Sequence, residues 1–271
     1  MKKIKVGIIG CGTIGGEIAR ACRSSLKEKF ELIALCDMDA DKAAKLAASL
    51  KASAGSVVGM DELIAKSDLV IEAASGAISG QVLEKSVAVG KSILVMSVGG
   101  LIGKEELLDR ARSSGVKVFI PSGALCGIDG LKASSCGKIE SVMITTRKPP
   151  KGLEGAPYLV ANKIDLGTVK GEMVVFDGTA QEAVKGFPKN VNVCAVLSLA
   201  GIGAAKTRVR IVTSPEYAKN IHEVEISGDF GKIVTRTENV PSPSNPKTSY
   251  MAILSALATL EGIADSVKIG T

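Results

Sequence analysis

The segment Gly10-Cys11-Gly12-Thr13-Ile14-Gly15 restricts the fold of this chain more than any other feature of its sequence. The apolar run KVGIIG leads into it, and EIARACRSSLKE, which has the spacing of an amphipathic helix, follows. In a strand–turn–helix unit the three glycines allow a tight turn, the approach of a pyrophosphate to the backbone, and close packing of helix on strand. The helix N-terminus then offers its N–H groups and dipole to the phosphates. We therefore predict a dinucleotide-binding domain; a glycine turn that binds nothing is the alternative. The expected cofactor contacts are Gly10, Gly12, Thr13, Ile14 and Gly15.

A carboxylate at the end of the second strand bears on which dinucleotide binds. The apolar run ELIALCD ends in Asp37, about 20 residues after the glycine turn, where a carboxylate binds the ribose hydroxyls of NAD and repels the 2′-phosphate of NADP. Asp37 therefore favours NAD. NADP remains the alternative, because Asp37 can also serve as a turn residue beside Asp39 and Asp41.

The pattern of elements changes along the chain. Up to about residue 125, apolar strands alternate with amphipathic helices, which indicates a parallel sheet with helices on both faces. Beyond it, strands such as KIESVMITTRK, AKTRVRIVTS and IHEVEISG alternate polar and apolar residues, which predicts an antiparallel sheet with one solvated face. Thr179 and Glu182 fit a capping box at a helix within this part. The fold class is α/β, with a Rossmann-type parallel sheet domain at 1–125 and a second α+β domain with an antiparallel sheet at 126–245.

Composition excludes several classes of partner. Aromatic residues are only 3% of the 271 and Trp is absent, so stacking platforms for nucleic acid bases are not expected. The net charge of +6 fits anionic small molecules. No apolar stretch is long enough to span a bilayer, and the N-terminal MKKIKVGIIGCG enters the glycine turn without a cleavage site. We therefore expect a cytoplasmic protein with no membrane or nucleic acid partner.

Metal binding is not expected either. The six cysteines form no C-x-x-C pair, and the chain has one histidine, His222. Together they do not complete a zinc site. Reduced, buried thiols are the expected state of the cysteines.

Three places in the second half are candidates for substrate or cofactor contacts. The loop PSGALCGIDG, residues 121–130, follows a predicted parallel strand and can reach the nicotinamide, or act only as a hinge. Asn190 precedes an apolar helical run and reads as an N-cap or as an amide contact, with Asn192 competing for that role. In IHEVEI, His222 shares the apolar face with Val224 and Ile226, so it is either a core histidine or a catalytic one.

The chain resembles the L-aspartate dehydrogenase family over nearly its whole length. The shared segments are GIIGCGTIGGEIA, DLVIEAAS, ILVMSVGGL, PSGALCGIDGLKA, TRKPPKGL, FPKNVNVCAVLSLAG, IHEVEISGDFG and ENVPSPSNPKTSYMAILSALATL. The resemblance implies that Ala124 and Asn190 contact NAD and that His222 is the active-site histidine. It also implies that the C-terminal segment 246–271, with a helix predicted at 247–266, packs back on the first domain. The chain departs from the family pattern at Gly76 in the cofactor loop, which leaves NAD versus NADP open.

The reaction implied by the resemblance is the oxidation of L-aspartate to iminosuccinate, which water hydrolyses to oxaloacetate and ammonia, feeding NAD biosynthesis. His222 suits the role of base. The two substrate carboxylates need cations and amide donors. The expected substrate-binding residues are Asn245, Lys247, Thr248 and Ser249, with Lys206, Arg208 and Arg210 as the other cationic candidates. We also expect a homodimer and a possible transfer of the imine to a quinolinate-forming enzyme.

Two other interpretations of the function remain open from the sequence alone. One is another two-domain dehydrogenase or reductase, of the homoserine dehydrogenase or dihydrodipicolinate reductase type; a single histidine excludes the paired-histidine motif of the latter. The other is a non-catalytic protein that senses NAD. Turnover of an amino acid with reduction of NAD separates an enzyme from a sensor.

Overall fold

The structure is a computed structural model that describes residues 2–51, 56–188 and 191–271, with the backbone alone at 246 and 247. These residues form two compact units. The first unit is Met1–Pro121 with Ile253–Val267, and the second is Ser122–Ala252 with Lys268–Thr271.

The first unit is built on a parallel sheet with the strand order β2-β1-β3-β4-β5. This confirms the predicted parallel sheet. The strands are β1 (Ile4–Ile9), β2 (Phe30–Cys36), β3 (Leu69–Glu72), β4 (Ser92–Val95) and β5 (Val118–Phe119). The helices are α1 (Thr13–Arg23), α2 (Ala40–Ser49), α3 (Met60–Lys66), α4 (Gly76–Ala88) and α5 (Glu105–Ser114), with a 3-10 helix at Val98–Leu101.

Burial explains why the first sheet is parallel. All residues of β3, and three of the four residues of β4, are buried, as expected for strands covered by helices on both faces. The C-terminal helix α10 (Tyr250–Ala264) contributes Ala256 and Leu260 to the same core. It begins at Tyr250 rather than at residue 247, because the residues before it pair as a strand.

The second unit is built on a sheet with the order β10-β9-β6-β8-β7 and a hairpin of β11 and β12. The strands are β6 (Ile139–Lys148), β7 (Met173–Thr179), β8 (Arg208–Thr213), β9 (Asn220–Gly228), β10 (Gly231–Asn239), β11 (Pro241–Ser242) and β12 (Asn245–Ser249). The helices are α6 (Ile128–Ser134), α7 (Pro157–Ala161), α8 (Ala180–Gly186) and α9 (Asn192–Ala200), with 3-10 helices at Pro150–Gly152 and Leu166–Thr168.

The second sheet is mixed, and the expectation of a purely antiparallel sheet is wrong at one strand pair. β6 and β8 run parallel, with Thr146 opposite Ile211 and Lys148 opposite Thr213, whereas the remaining pairs are antiparallel. A parallel pair needs a long crossover connection, and α7, β7, α8 and α9 lie between β6 and β8 in the chain. The capping box of Thr179 and Glu182 at α8 is confirmed.

The sheet of the second unit has two unlike faces. Its buried face carries Val142, Ile144, Val224 and Ile226, each at most 1% exposed. Its charged face carries the side chains that alternate with them, including Glu223 on β9 and Arg208, Arg210 and Asp177 on β8 and β7. His222 lies on the buried face, as the alternation of β9 predicts.

Candidate active site

The glycine turn of the first unit is shaped by close backbone contacts. Gly10 has a φ of +102°, and a Cβ placed there would lie 2.5 Å from the Ala73 carbonyl carbon. A Cβ at Gly15 would lie 1.9 Å from the Gly10 carbonyl oxygen, whereas at Gly12 it would meet nothing within 4 Å. The first two residues of α1 are Thr13 and Ile14, and Gly12 is its N-cap. The helix start has no hydrogen bond from a capping side chain, and no acidic residue lies in its first turn. The open backbone at Gly12 and the uncapped helix start fit a dinucleotide pyrophosphate.

Asp37 follows β2 directly and is held at the glycine turn. Its Oδ2 accepts a hydrogen bond from the Cys11 N–H at 2.7 Å, and its Oδ1 accepts one from the Asp39 N–H at 2.9 Å. Asp39 caps α2. The carboxylate of Asp37 is therefore fixed beside the turn, where it has further lone pairs for hydroxyl groups.

Glu72 is a buried carboxylate that sequence reasoning missed. It ends β3, is 0% exposed, and accepts hydrogen bonds from the N–H groups of Ala74 at 2.9 Å and Ser97 at 3.0 Å. Burial raises its pKa, and the hydrogen bonds from Ser97 and Ala74 oppose that rise. Glu72 thereby joins the loops after β3 and β4 at the carboxyl edge of the sheet, where dinucleotides bind in this class of fold. An acidic residue within the apolar run LVIEAAS was the available signal.

His222 is buried in the second unit, with 4% of its surface exposed. It lies opposite Thr146 in the β6–β9 pair, and its Nδ1 is 3.0 Å from the Thr146 Oγ1. Burial, and secondarily the positive charge of Lys148, lower the pKa of His222 to about 3. The imidazole is therefore neutral at neutral pH, with Nδ1 directed to Thr146.

Lys148 is a second residue that sequence reasoning missed. It lies two positions after Thr146 on β6, on the same face of the sheet as His222, and it is half-buried. Thr213 Oγ1 donates a hydrogen bond to its carbonyl oxygen at 2.9 Å. Burial lowers the pKa of the Lys148 ammonium to about 8. Its segment, TRKPPKGL, is one of those that carry the family resemblance, but no pattern in that segment indicated that Lys148 shares a sheet face with His222.

A hydrogen-bond network joins three of the predicted site segments within the second unit. Thr237 Oγ1 lies 3.2 Å from the Ala124 carbonyl oxygen and 3.3 Å from that of His222. Asn239 Nδ2 donates to the same Ala124 carbonyl at 3.1 Å, and Asn239 Oδ1 accepts from Ser249 Oγ at 3.0 Å. The buried amide of Asn239, which sequence reasoning also missed, therefore connects the loop of Ala124 with the segment of Ser249.

Two known protein families match the two parts of the chain. Residues 129–263 match the model described as aspartate dehydrogenase, C-terminal, and residues 10–121 match homoserine dehydrogenase, NAD binding domain. A protein from Methanosarcina mazei named L-aspartate dehydrogenase is 48% identical over 99% of this chain and 100% of its own length. The chain belongs to the L-aspartate dehydrogenase family. A relative of that name from Bradyrhizobium diazoefficiens is 38% identical over 99% of this chain and 95% of its own length.

A solved structure supports the same assignment. The crystal structure of aspartate dehydrogenase from Thermotoga maritima superposes with a TM-score of 0.75 at 26% identity, covering 99% of this chain and 100% of the other. This member of the L-aspartate dehydrogenase family is therefore an oxidoreductase with a binding domain for a pyridine nucleotide.

The remaining predicted residues of this family member fall into two groups. Asn245, Thr248 and Ser249 are half-buried on β12, which pairs with β11 and ends directly before α10 begins at Tyr250. Asn190 and the side chain of Lys247 lie outside the described residues. α9 begins at Asn192, with Val191 as its N-cap.

The alternative cationic candidates are not brought to His222. Arg208 and Arg210 bind opposite oxygens of the Asp177 carboxylate at 2.6 and 2.8 Å on the charged face. Lys206 and Arg208 also line a groove of about 580 Å³ together with Glu225.

The described part of this family member contains neither a candidate metal site nor a candidate membrane-spanning helix. Among those residues, no group of three or more His, Cys, Asp or Glu side chains could hold a metal ion. None of the helices there combines the length and apolar character that crossing a bilayer requires.

Proposed function

We propose that this chain catalyses the NAD(P)-dependent oxidation of L-aspartate to iminosuccinate, which is hydrolysed to oxaloacetate and ammonia. The relatives that match over nearly the full chain carry the name L-aspartate dehydrogenase. The observation that carries the proposal is the buried, neutral His222 held by Thr146 beside Lys148. This arrangement supplies a proton acceptor and a cation on one face of the sheet, and a dicarboxylic amino acid needs both.

The protein would hold the cofactor through the glycine turn and the first turn of α1, namely Gly10, Gly12, Thr13, Ile14 and Gly15. Asp37 would bind the ribose hydroxyls, which favours NAD over NADP. Ala124 and Asn190 are proposed further contacts. When bound, the nicotinamide accepts the hydride that leaves Cα of the substrate.

His222 is proposed as the base. In the tautomer that carries its proton on Nδ1, the ring N–H donates to Thr146 Oγ1, and Nε2 presents a lone pair for a proton of the substrate amine. A pKa of about 3 is low for this role. A substrate with two carboxylates brings negative charge beside His222 and Lys148, which raises the pKa of the imidazole towards neutrality. After Nε2 has released that proton to solvent, it can also deprotonate the water that hydrolyses the imine.

The experiment that tests this function is an NADH absorbance assay with L-aspartate, D-aspartate, L-glutamate and L-homoserine. We expect turnover of L-aspartate, and a loss of about 100-fold or more in kcat for His222→Asn, with an unchanged Kd for NADH. Protein that binds NADH but oxidises none of these substrates contradicts the function. A fully active His222→Asn variant contradicts only the role of the histidine.

We propose Asn245, Lys247, Thr248 and Ser249 as further substrate contacts. Ser249 has support from its hydrogen bond to Asn239, which also binds the Ala124 carbonyl. Alanine variants at Thr248 and Ser249 should raise KM for L-aspartate without changing the Kd for NADH.

The proposed setting is the cytoplasm, where the product would feed NAD biosynthesis by passing to a quinolinate-forming enzyme. The six cysteines are free thiols, as in a reducing compartment. We also propose a homodimer, because Met173, Val174 and Val234 expose 39%, 53% and 56% of their surfaces on strands of the second sheet. Light scattering of the purified protein tests the dimer.

A further inference from the structure

Lys148 is fixed by the strand pairing on both sides of β6. Thr146, two residues earlier, lies opposite His222 of β9, and Lys148 itself lies opposite Thr213 of β8. Because side chains two residues apart on a strand point to the same face, the Lys148 side chain leaves the sheet on the side of His222. Lys148 is therefore the next residue on that face of β6 after Thr146, whose Oγ1 lies 3.0 Å from Nδ1 of His222.

The surroundings of Lys148 are polar although they are buried. Thr146 is 4% exposed, and Thr213 and Ser214 are 0% exposed. The Thr213 hydroxyl binds the Lys148 carbonyl oxygen at 2.9 Å, and the Ser214 hydroxyl accepts from the Glu216 N–H at 3.2 Å. Buried polar groups are costly to maintain unless they bond to one another or to a ligand. Here the hydroxyl groups of Thr146, Thr213 and Ser214 all have partners within the protein, so the ends of β6 and β8 form an ordered polar environment around Lys148.

The charge around Lys148 differs from that of the charged face. There, Arg208 and Arg210 share the carboxylate of Asp177, and Arg147 lies 3.7 Å from Glu223. Among the described residues, Lys148 is a cation on the opposite face of this sheet, the face that carries His222.

We propose that Lys148 binds a carboxylate of the substrate and thereby holds the dicarboxylate with its amine next to His222. This inference rests on the proposed function, because it assigns a substrate contact within the same site. A protonated lysine donates charge-assisted hydrogen bonds to a carboxylate. With a pKa of about 8, the ammonium of Lys148 is mostly protonated at neutral pH, so it is available in the required form.

The test compares Lys148→Met, Lys148→Arg and, as a control, Lys151→Met. Methionine keeps an unbranched apolar stem and removes the charge, arginine keeps the charge, and Lys151 is an exposed lysine of the next 3-10 helix. Calorimetric titration with succinate in the presence of NAD measures carboxylate binding without turnover, because succinate has no amine. KM and kcat for L-aspartate and the Kd for NADH are measured on the same proteins, and circular dichroism verifies folding.

We expect Lys148→Met to weaken succinate binding and raise KM for L-aspartate by roughly 10- to 100-fold, the factor that corresponds to a hydrogen bond with a charged group. Lys148→Arg should retain part of the affinity, and Lys151→Met should match the wild type. The Kd for NADH should not change in any variant.

Three results would overturn the assignment. Lys148→Met that binds succinate as tightly as the wild type shows that Lys148 does not contact a carboxylate. A fall in kcat alone, with a shifted pH profile and an unchanged KM, shows that Lys148 acts only through His222. The proposed function fails separately: wild-type protein that binds succinate, loses that binding in Lys148→Met and yet oxidises no L-aspartate contradicts the function and retains the carboxylate site. Wild-type protein that binds no succinate contradicts the carboxylate site.

Discussion

The buried imidazole of His222 makes the stability of the second unit depend on pH within a defined window. The folded-state pKa is about 3, whereas an unfolded histidine has a pKa of about 6.5. Between these values the unfolded state binds more protons, so the free energy of unfolding falls as the pH falls from about 6.5 towards 3. At about pH 5, an unfolded histidine is almost fully protonated and His222 in the folded state is not, which corresponds to a loss of about 2 kcal/mol relative to about pH 7.5.

Tyrosine fluorescence follows the relevant unit by itself. The chain has no Trp, and its tyrosines, Tyr158, Tyr217 and Tyr250, all lie in the second unit. Urea unfolding is measured for the wild type and for His222→Gln, each at about pH 7.5 and about pH 5. Between these two pH values, the free energy of unfolding of the wild type should fall by about 2 kcal/mol more than that of the variant. The other titrating groups are common to both proteins and cancel in the comparison. The folded-state pKa of Lys148, about 8, lies above this window.

An equal loss of stability in the two proteins would refute the reasoning. It would mean that His222 takes up a proton in the folded state as readily as in the unfolded one. The histidine would then be neither buried nor neutral, and the proposed base, which depends on an uncharged ring with Nδ1 on Thr146, would lose its physical support.

Three further predictions concern the cofactor domain. Gly15→Ala should weaken NADH binding at least 10-fold in a fluorescence titration, because its Cβ would lie 1.9 Å from the Gly10 carbonyl oxygen and the turn must shift; unchanged affinity would exclude the turn as the phosphate site. Asp37→Ser should lower the ratio of the Kd for NADP to the Kd for NAD about 10-fold, since the carboxylate repels the 2′-phosphate; an unchanged ratio would leave Asp37 as a turn residue only. Glu72→Ala should cost about 3 kcal/mol in urea unfolding followed by circular dichroism, because it leaves buried N–H groups such as that of Ser97 without an acceptor. Glu72→Gln, which keeps one acceptor oxygen, should cost less, and equal stability of the alanine variant and the wild type would contradict the role of Glu72.

Several elements could be predicted because their signals lie in neighbouring residues. The glycine turn, the strand before it and the helix after it form one short segment, and the alternation of β9 assigns His222 to the face of Val224 and Ile226. The capping box at α8 depends on Thr179 and Glu182, three residues apart, and the structure contains it. For these features the local pattern is sufficient, since helix and strand geometry decide which side chains share a face.

The pairing of distant strands was not accessible in the same way. The alternating pattern of β6 and β8 is the same for parallel and antiparallel pairing, so the sequence did not distinguish them, and the crossover through α7–α9 decided the outcome. Likewise, the last helix was expected to begin at residue 247, but pairing with β11 keeps the chain in a strand up to Ser249.

The amino-acid sequence by itself determined the class of fold, the dinucleotide-binding turn and the single histidine with its apolar side of the strand. Only the tertiary structure decided what surrounds that histidine. Thr146 and His222 are 76 residues apart; the register of β6 with β9 brings them together, and Lys148 lies on the same face because it follows Thr146 by two residues. Burial, which lowers the pKa values of both His222 and Lys148, is likewise a property of the packed unit. The physical reason is that register, desolvation and electrostatic contact arise between segments distant in sequence, whereas propensity, capping and side-chain alternation arise within one segment.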